Sequence, residues 1–180
     1  MDVAILILNS ELLDSFPNIG YARLPDVSNP DPPKNTLVLA MGWYVGPPVS
    51  VIDTVPDIVG CRGLRKKPDP NAFRTAADYP RERRGVFLTT ISPKECADVN
   101  KKLDPPGKYP LCIQHLVKDR TGSFCNKDAG GPVIDEKRRL LGVLSRIYGG
   151  CGVPGSITVS TSVRDVVEWV QNVIEEYSRH

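Results

Sequence analysis

The chain has 180 residues, enough for one ordinary domain or two very small ones. Its 41% hydrophobic and 24% charged content excludes a largely disordered protein. A formal net charge of +2 gives no electrostatic case for a nucleic-acid partner, and no apolar run approaches the ~20 residues that span a bilayer. Glycine (15) and proline (17) are abundant, which suits short strands joined by many turns and argues against a helical bundle.

In chain order, Val3-Ala4-Ile5-Leu6-Ile7-Leu8 is an apolar run of strand length. It is too short for the core of a signal peptide, and Asp2 precedes it where such a peptide carries basic residues. Asn29-Pro30-Asp31-Pro32-Pro33 forms neither helix nor central strand. Thr36-Leu37-Val38-Leu39-Ala40-Met41 reads as a buried strand closed by Gly42-Trp43. From about residue 46 to 84 the pattern fails: proline recurs, and basic residues outnumber acidic ones. That stretch reads as a long surface loop, either a solvated face or a docking patch for a polyanion or partner.

Regular structure resumes with a strand at Gly85-Val86-Phe87-Leu88-Thr89-Thr90-Ile91, and Ser92-Pro93-Lys94-Glu95-Cys96 follows as a short helical turn. Gly131-Pro132-Val133-Ile134 and Leu140-Leu141-Gly142-Val143-Leu144 flank the charged turn 135–139, which is a hairpin signal. A further strand covers 156–160. A terminal helix over 162–178 is capped by Ser162 with Asp165 three residues on, and Val163, Val166, Val167, Val170, Val173, Ile174 and Tyr177 give it one apolar face that needs a sheet to lie on.

The five cysteines are Cys61, Cys96, Cys112, Cys125 and Cys151. None stands in a C-x-x-C pair, and Cys112-Ile113-Gln114-His115 is a lone C-x-x-H, so neither metal nor cofactor is expected. A disulfide framework in an oxidising compartment, with one cysteine left over, is the better reading. No Asn has Ser or Thr at the spacing of a glycosylation acceptor.

Three segments stand in a telling order: Asp2-Val3-Ala4-Ile5-Leu6, then Gly42-Trp43 after a buried strand, then Cys125-Asn126-Lys127-Asp128-Ala129-Gly130-Gly131-Pro132. They resemble the trypsin/chymotrypsin-like serine proteases. The first is similar to the family's Asp-Ile-Ala-Leu-Leu strand, and the last to its Cys-x-Gly-Asp-Ser-Gly-Gly-Pro around the nucleophile. Leu141-Gly142-Val143-Leu144-Ser145, Gly150-Cys151, Pro154-Gly155, Thr158 and the helix with Trp169-Val170 keep the family's order too. The resemblance implies an all-β fold: a chymotrypsin-like antiparallel β-barrel with a C-terminal α-helix docked on it. The second barrel of that fold would be essentially complete and the first mostly missing, making residues 1–180 a partial protease domain interrupted by the divergent loop at 46–84. It also implies disulfides Cys96–Cys112 and Cys125–Cys151, each worth about 3–4 kcal/mol in the chain-entropy model, and leaves Cys61 without a partner in this chain.

Acyl transfer by this mechanism needs a hydroxyl nucleophile, a His to take its proton, an Asp to orient the His, and backbone N–H donors for the oxyanion. The resemblance places the Asp at Asp2 and the nucleophile at Ala129, whose methyl group cannot attack a carbonyl. The family's His would precede Asp2, so it is absent, and His115 and His180 read as bystanders. Lys127 replaces the Gly that donates to the oxyanion, where its Cβ disfavours a positive φ. Ser123 matches the floor of the primary substrate pocket. Ser145 opens the substrate-pairing strand, but Arg146 and Ile147 follow where Trp and Gly are typical, which should narrow the pocket. Asp128 is retained; in the family it pairs with a freshly cleaved amino terminus. One engineered Ser→Ala change would account for Ala129 alone and not for Lys127, Arg146 and Ile147, which favours natural decay of the site.

The expected function is that of a secreted, non-catalytic serine protease homologue acting by protein binding. Its partner would be a protease, a protease inhibitor or another cascade component. The alternative is a fragment of a serine-type endopeptidase whose longer form carries out proteolysis.

Overall fold

Alternation decides the first strand. In β1 (Leu37–Gly42), Val38 and Ala40 turn inward and are fully buried, while Leu37, Leu39 and Met41 face outward. The structure, a computed structural model, describes residues 2–10, 20–28, 32–43, 84–103, 110–115, 124, 128–150 and 153–178. Five further strands follow: β2 (Arg84–Thr90), β3 (Pro110–His115), β4 (Pro132–Asp135), β5 (Leu140–Tyr148) and β6 (Ile157–Ser162). All pair antiparallel in the order β1-β2-β3-β6-β5-β4, and β4 returns to β1 to close a barrel. A six-stranded barrel is narrow enough for side chains to fill it. Val38, Ala40, Leu88, Ile113, Phe124, Val133, Leu141 and Leu144 do so.

A second cluster lies outside the wall. Helix α1 (Pro93–Asn100) packs Cys96 and Val99 against Ile91, Cys112 and Val159. The disulfide Cys96–Cys112 fastens the helix to β3 with Cα atoms 5.3 Å apart. Proline at the first turn and a reciprocal cap begin this helix: Ser92 Oγ accepts from the Glu95 N–H at 3.2 Å, and the Glu95 carboxylate accepts from the Ser92 N–H at 3.1 Å. The Ser92 hydroxyl and the Lys34 ammonium, 3.0 Å away, hold the Glu95 carboxyl down to about 2. The expected single helical turn is therefore two turns long.

The hairpin expected at 131–144 is β4–β5, and Asp135 organises its turn. Its carboxylate accepts from the Lys137 and Arg139 N–H groups at 2.9 and 2.8 Å and from Arg139 Nε at 2.7 Å. Burial pushes the Asp135 carboxyl up, but these donors outweigh it and hold the group below the ordinary carboxylate value. Arg138 takes the left-handed conformation at φ 60°, which lets the chain reverse. Arg23 flanks the turn, donating its N–H to the Arg138 carbonyl and accepting from the Leu140 N–H.

Several expectations are corrected. Residues 3–8 join no strand of the barrel; they run as irregular chain beside it. Ser162 is not a helix cap but the last residue of β6, where pairing with Gly142 holds its backbone extended. A 3-10 turn (Arg164–Val166) with no side-chain cap precedes the terminal helix α2 (Val167–Ser178). The helix docks only at its start: Val163, Val166 and Val167 are buried, Val170 and Val173 are half-buried, and Ile174 and Tyr177 are exposed. β3 carried no strand signal. The loop expected at 46–84 lies outside the described residues except for Arg84, which opens β2.

Candidate active-site cleft

The turn 128–131 leads into β4 and is tied to the neighbouring strand by backbone bonds. Gly130 donates to the Leu144 carbonyl at 2.8 Å, Leu144 donates to Gly131 at 2.8 Å, and Gly131 donates to Asp128 at 2.9 Å. Gly130 adopts φ +91°, a conformation that L side chains rarely take. At Gly131 a Cβ would run into the Met41 carbonyl oxygen and would lie 2.9 Å from Leu144 Cδ1. Both glycines are thus required by the turn, and between Asp128 and this pair stands Ala129.

Asp128 is buried, and its Oδ1 accepts from the Trp43 N–H at 2.8 Å. This bond joins the end of β1 to the turn. It also explains Gly42, where a Cβ would fall 2.5 Å from Asp128 Oδ1. In the family the matching Asp pairs with a freshly cleaved amino terminus; here Asp128 accepts from a backbone amide.

Ala129 opens onto a cleft lined also by Phe124, Leu144, Ser145, Arg146, Ile147 and Thr158. Its volume is about 10 Å³, room for roughly one water molecule. Ser145, Arg146 and Ile147 are half-buried along β5. The β4 ladder ends where Pro132 faces Val143, so residues 146–148 pair with β6 alone among the strands, and Ser145 falls at the irregularity between Leu144 and Arg146. One edge of this stretch therefore meets no barrel strand.

Asp2 joins this site from the other end of the sequence. The Ser145 hydroxyl donates to Asp2 Oδ2, and Thr161 Oγ1 donates to the Asp2 carbonyl oxygen at 3.0 Å. Asp2, Ser145 and Ala129 are thus brought to one region, through Ser145. His115 lies on β3 opposite Leu88 and does not line the cleft. Ser123, Lys127, His180, Cys61 and the expected Cys125–Cys151 disulfide lie outside the described residues.

Thr161 and the lining residues Phe124, Leu144 and Thr158 went unassigned in the sequence. Among the described residues no group of three His, Cys, Asp or Glu side chains is placed to hold a metal, and no helix is long and apolar enough to cross a membrane.

Chemically, the described lining offers the hydroxyls of Ser145 and Thr158 and the guanidinium of Arg146, and no imidazole stands among the described lining residues. The family model described as Trypsin matches residues 70–170, more than half of the chain. That span takes in β2 to β6, both walls of the cleft and the turn carrying Ala129. Closed antiparallel barrel, Cys96–Cys112 disulfide and family match agree: the chain belongs to the trypsin-like serine protease family.

Proposed function

We propose that this chain is a non-catalytic member of its family and acts by binding a protein. The observation that carries the reading is Ala129, which stands where the Cys125-to-Pro132 motif has its nucleophile and faces the cleft with a methyl group. A methyl group has no lone pair, so no acyl-enzyme forms there.

Binding is supported by what is retained. Residues 146–148 offer a strand edge that an extended segment of a partner can join by main-chain hydrogen bonds. The partner is a protease, a protease inhibitor or another component of a proteolytic cascade, presenting such a segment. The Cys96–Cys112 disulfide supports an oxidising, extracellular setting.

The experiment measures both halves of the reading on the wild-type chain. Peptide-ester hydrolysis is followed in parallel with binding of protein protease inhibitors to the immobilised chain. Background hydrolysis with saturable inhibitor binding is the expected result. Ester turnover clearly above the uncatalysed rate overturns the reading.

A further inference from the structure

The turn between β4 and β5 carries Lys137, Arg138 and Arg139 in succession, and the fold brings a fourth cation to them. The Arg23 N–H donates to the Arg138 carbonyl at 2.8 Å, and the Arg23 carbonyl accepts from the Leu140 N–H at 2.8 Å. These bonds set Arg23 beside Arg139 as a parallel bridge. Arg23, Lys137 and Arg138 are exposed, and among the described residues no ion pair or side-chain hydrogen bond engages their charged groups. Of the two acids in the turn, Asp135 is buried and held by Arg139, which leaves Glu136 as the other.

Two features of this corner work against stability. Arg138 sits in the left-handed region at φ 60°, at the place in a three-residue hairpin loop that suits glycine. Arg23 stands opposite Arg139, and like charges across a strand pair repel. Local rules broken twice in one place point to a function that needs the side chains concerned. An anion set between the guanidinium groups relieves the repulsion and uses a side chain that glycine would lack.

We propose that Arg23, Lys137, Arg138 and Arg139 form a binding site for a sulfated polysaccharide. Guanidinium groups offer paired N–H donors to the oxygens of such anions, and several side by side suit a chain with repeated anionic groups. The Cys96–Cys112 disulfide supports an extracellular setting, where the polyanion within reach is a sulfated glycan. A net charge of +2 gives the whole chain little of the broad positive field with which proteins take up nucleic acid, so the attraction is confined to this corner. The patch is separate from the cleft: between Leu140 and Arg146, β5 runs about 20 Å at ~3.3 Å per residue.

The test is binding of the whole chain to a fluorescent heparin oligosaccharide, read by anisotropy at about 0.15 M salt. The wild-type chain binds saturably, and binding weakens as salt rises. Arg138→Gly weakens it by roughly tenfold or more, and it raises the thermal midpoint because glycine accepts the left-handed conformation. Arg23→Gln keeps the backbone bonds to the turn and weakens binding to a similar extent. Lys94→Gln removes the same charge from an exposed position on α1 and leaves binding within about twofold. Unchanged near-ultraviolet circular dichroism verifies that the three variants fold. No binding by the wild-type chain overturns the proposal, as does a midpoint lowered by Arg138→Gly. A loss at Lys94→Gln equal to that at Arg138→Gly overturns it too, since net charge alone would then account for the attraction. A DNA oligonucleotide that binds as tightly as the heparin oligosaccharide also overturns it and assigns the patch to nucleic acid.

Discussion

Breaking the Cys96–Cys112 bond probes how the wall of the barrel holds helix α1. The bond closes a loop with a sequence separation of 16. Removing that constraint from the unfolded chain costs about 3 kcal/mol in the chain-entropy model. Both cysteines are buried within the cluster of Ile91, Val99 and Val159. Truncation to alanine therefore also removes packed sulfur, on the order of 1 kcal/mol per site. Cys96→Ala combined with Cys112→Ala should then lose about 4–5 kcal/mol. For a protein of this size each kcal/mol moves Tm by about 2–4 °C, so the midpoint falls by roughly 8–20 °C. The two sites share one bond, so either single variant should already show most of the loss, and the second substitution should add only about 1 kcal/mol. Scanning calorimetry under non-reducing conditions reads both quantities. A drop below about 3 °C, or two equal and additive single effects, would refute this reasoning.

Two further outcomes follow from local geometry. Gly131→Ala forces a Cβ into the Met41 carbonyl oxygen and against Leu144, and backbone cannot retreat as a flexible side chain does; it should cost about 1–3 kcal/mol or more in urea unfolding, whereas Gly20→Ala, with nothing within 4 Å, stays within about 0.5 kcal/mol. The Glu95 carboxyl is lowered from 4.5 to about 2 by Ser92 and Lys34, so its contribution to the α1 cap is present above pH 4.5 and is lost as pH falls toward 2; an NMR titration of the Glu95 side chain should give a midpoint near the lower value, and one near 4.5 contradicts the capping geometry.

The parts of the fold legible in the sequence are those where one physical signal dominates. Val38 and Ala40 alternate with outward residues, and the charged turn after Ile134 is bracketed by apolar strands, so β1 and the β4–β5 hairpin could be read directly. β3 could not. It starts at Pro110 and ends in Gln114 and His115, and its inward Ile113 stands beside Cys112, which faces the outer cluster. Its strand identity comes from pairing with β2 and β6, which is tertiary information. Ser162 misled because its local pattern suits a cap, yet the ladder to β5 claims its backbone. Residues 3–8 misled for the converse reason: their strand propensity is high, but no strand of the barrel pairs with them. Ala129, Ser145, Arg146 and Ile147, which sit in or beside an ordered motif, line one cleft. Thr161 acts on Asp2 from 159 residues away, and Trp43 acts on Asp128 from 85. No local pattern carries contacts of that separation.

The central claim, that the cleft has lost its chemistry, is tested most directly by Ala129→Ser. The new hydroxyl would sit in a cleft where no imidazole stands among the described lining residues. A serine hydroxyl is a poor nucleophile at neutral pH without a base to take its proton, and such a base contributes about 10²–10⁴-fold by itself. The measurement is labelling of the variant by a fluorophosphonate probe, with peptide-ester turnover followed in parallel. Labelling and turnover no greater than in the wild-type chain are predicted. Stoichiometric labelling of the introduced hydroxyl, with turnover well above that background, would show that a base does reach residue 129, and would contradict the account.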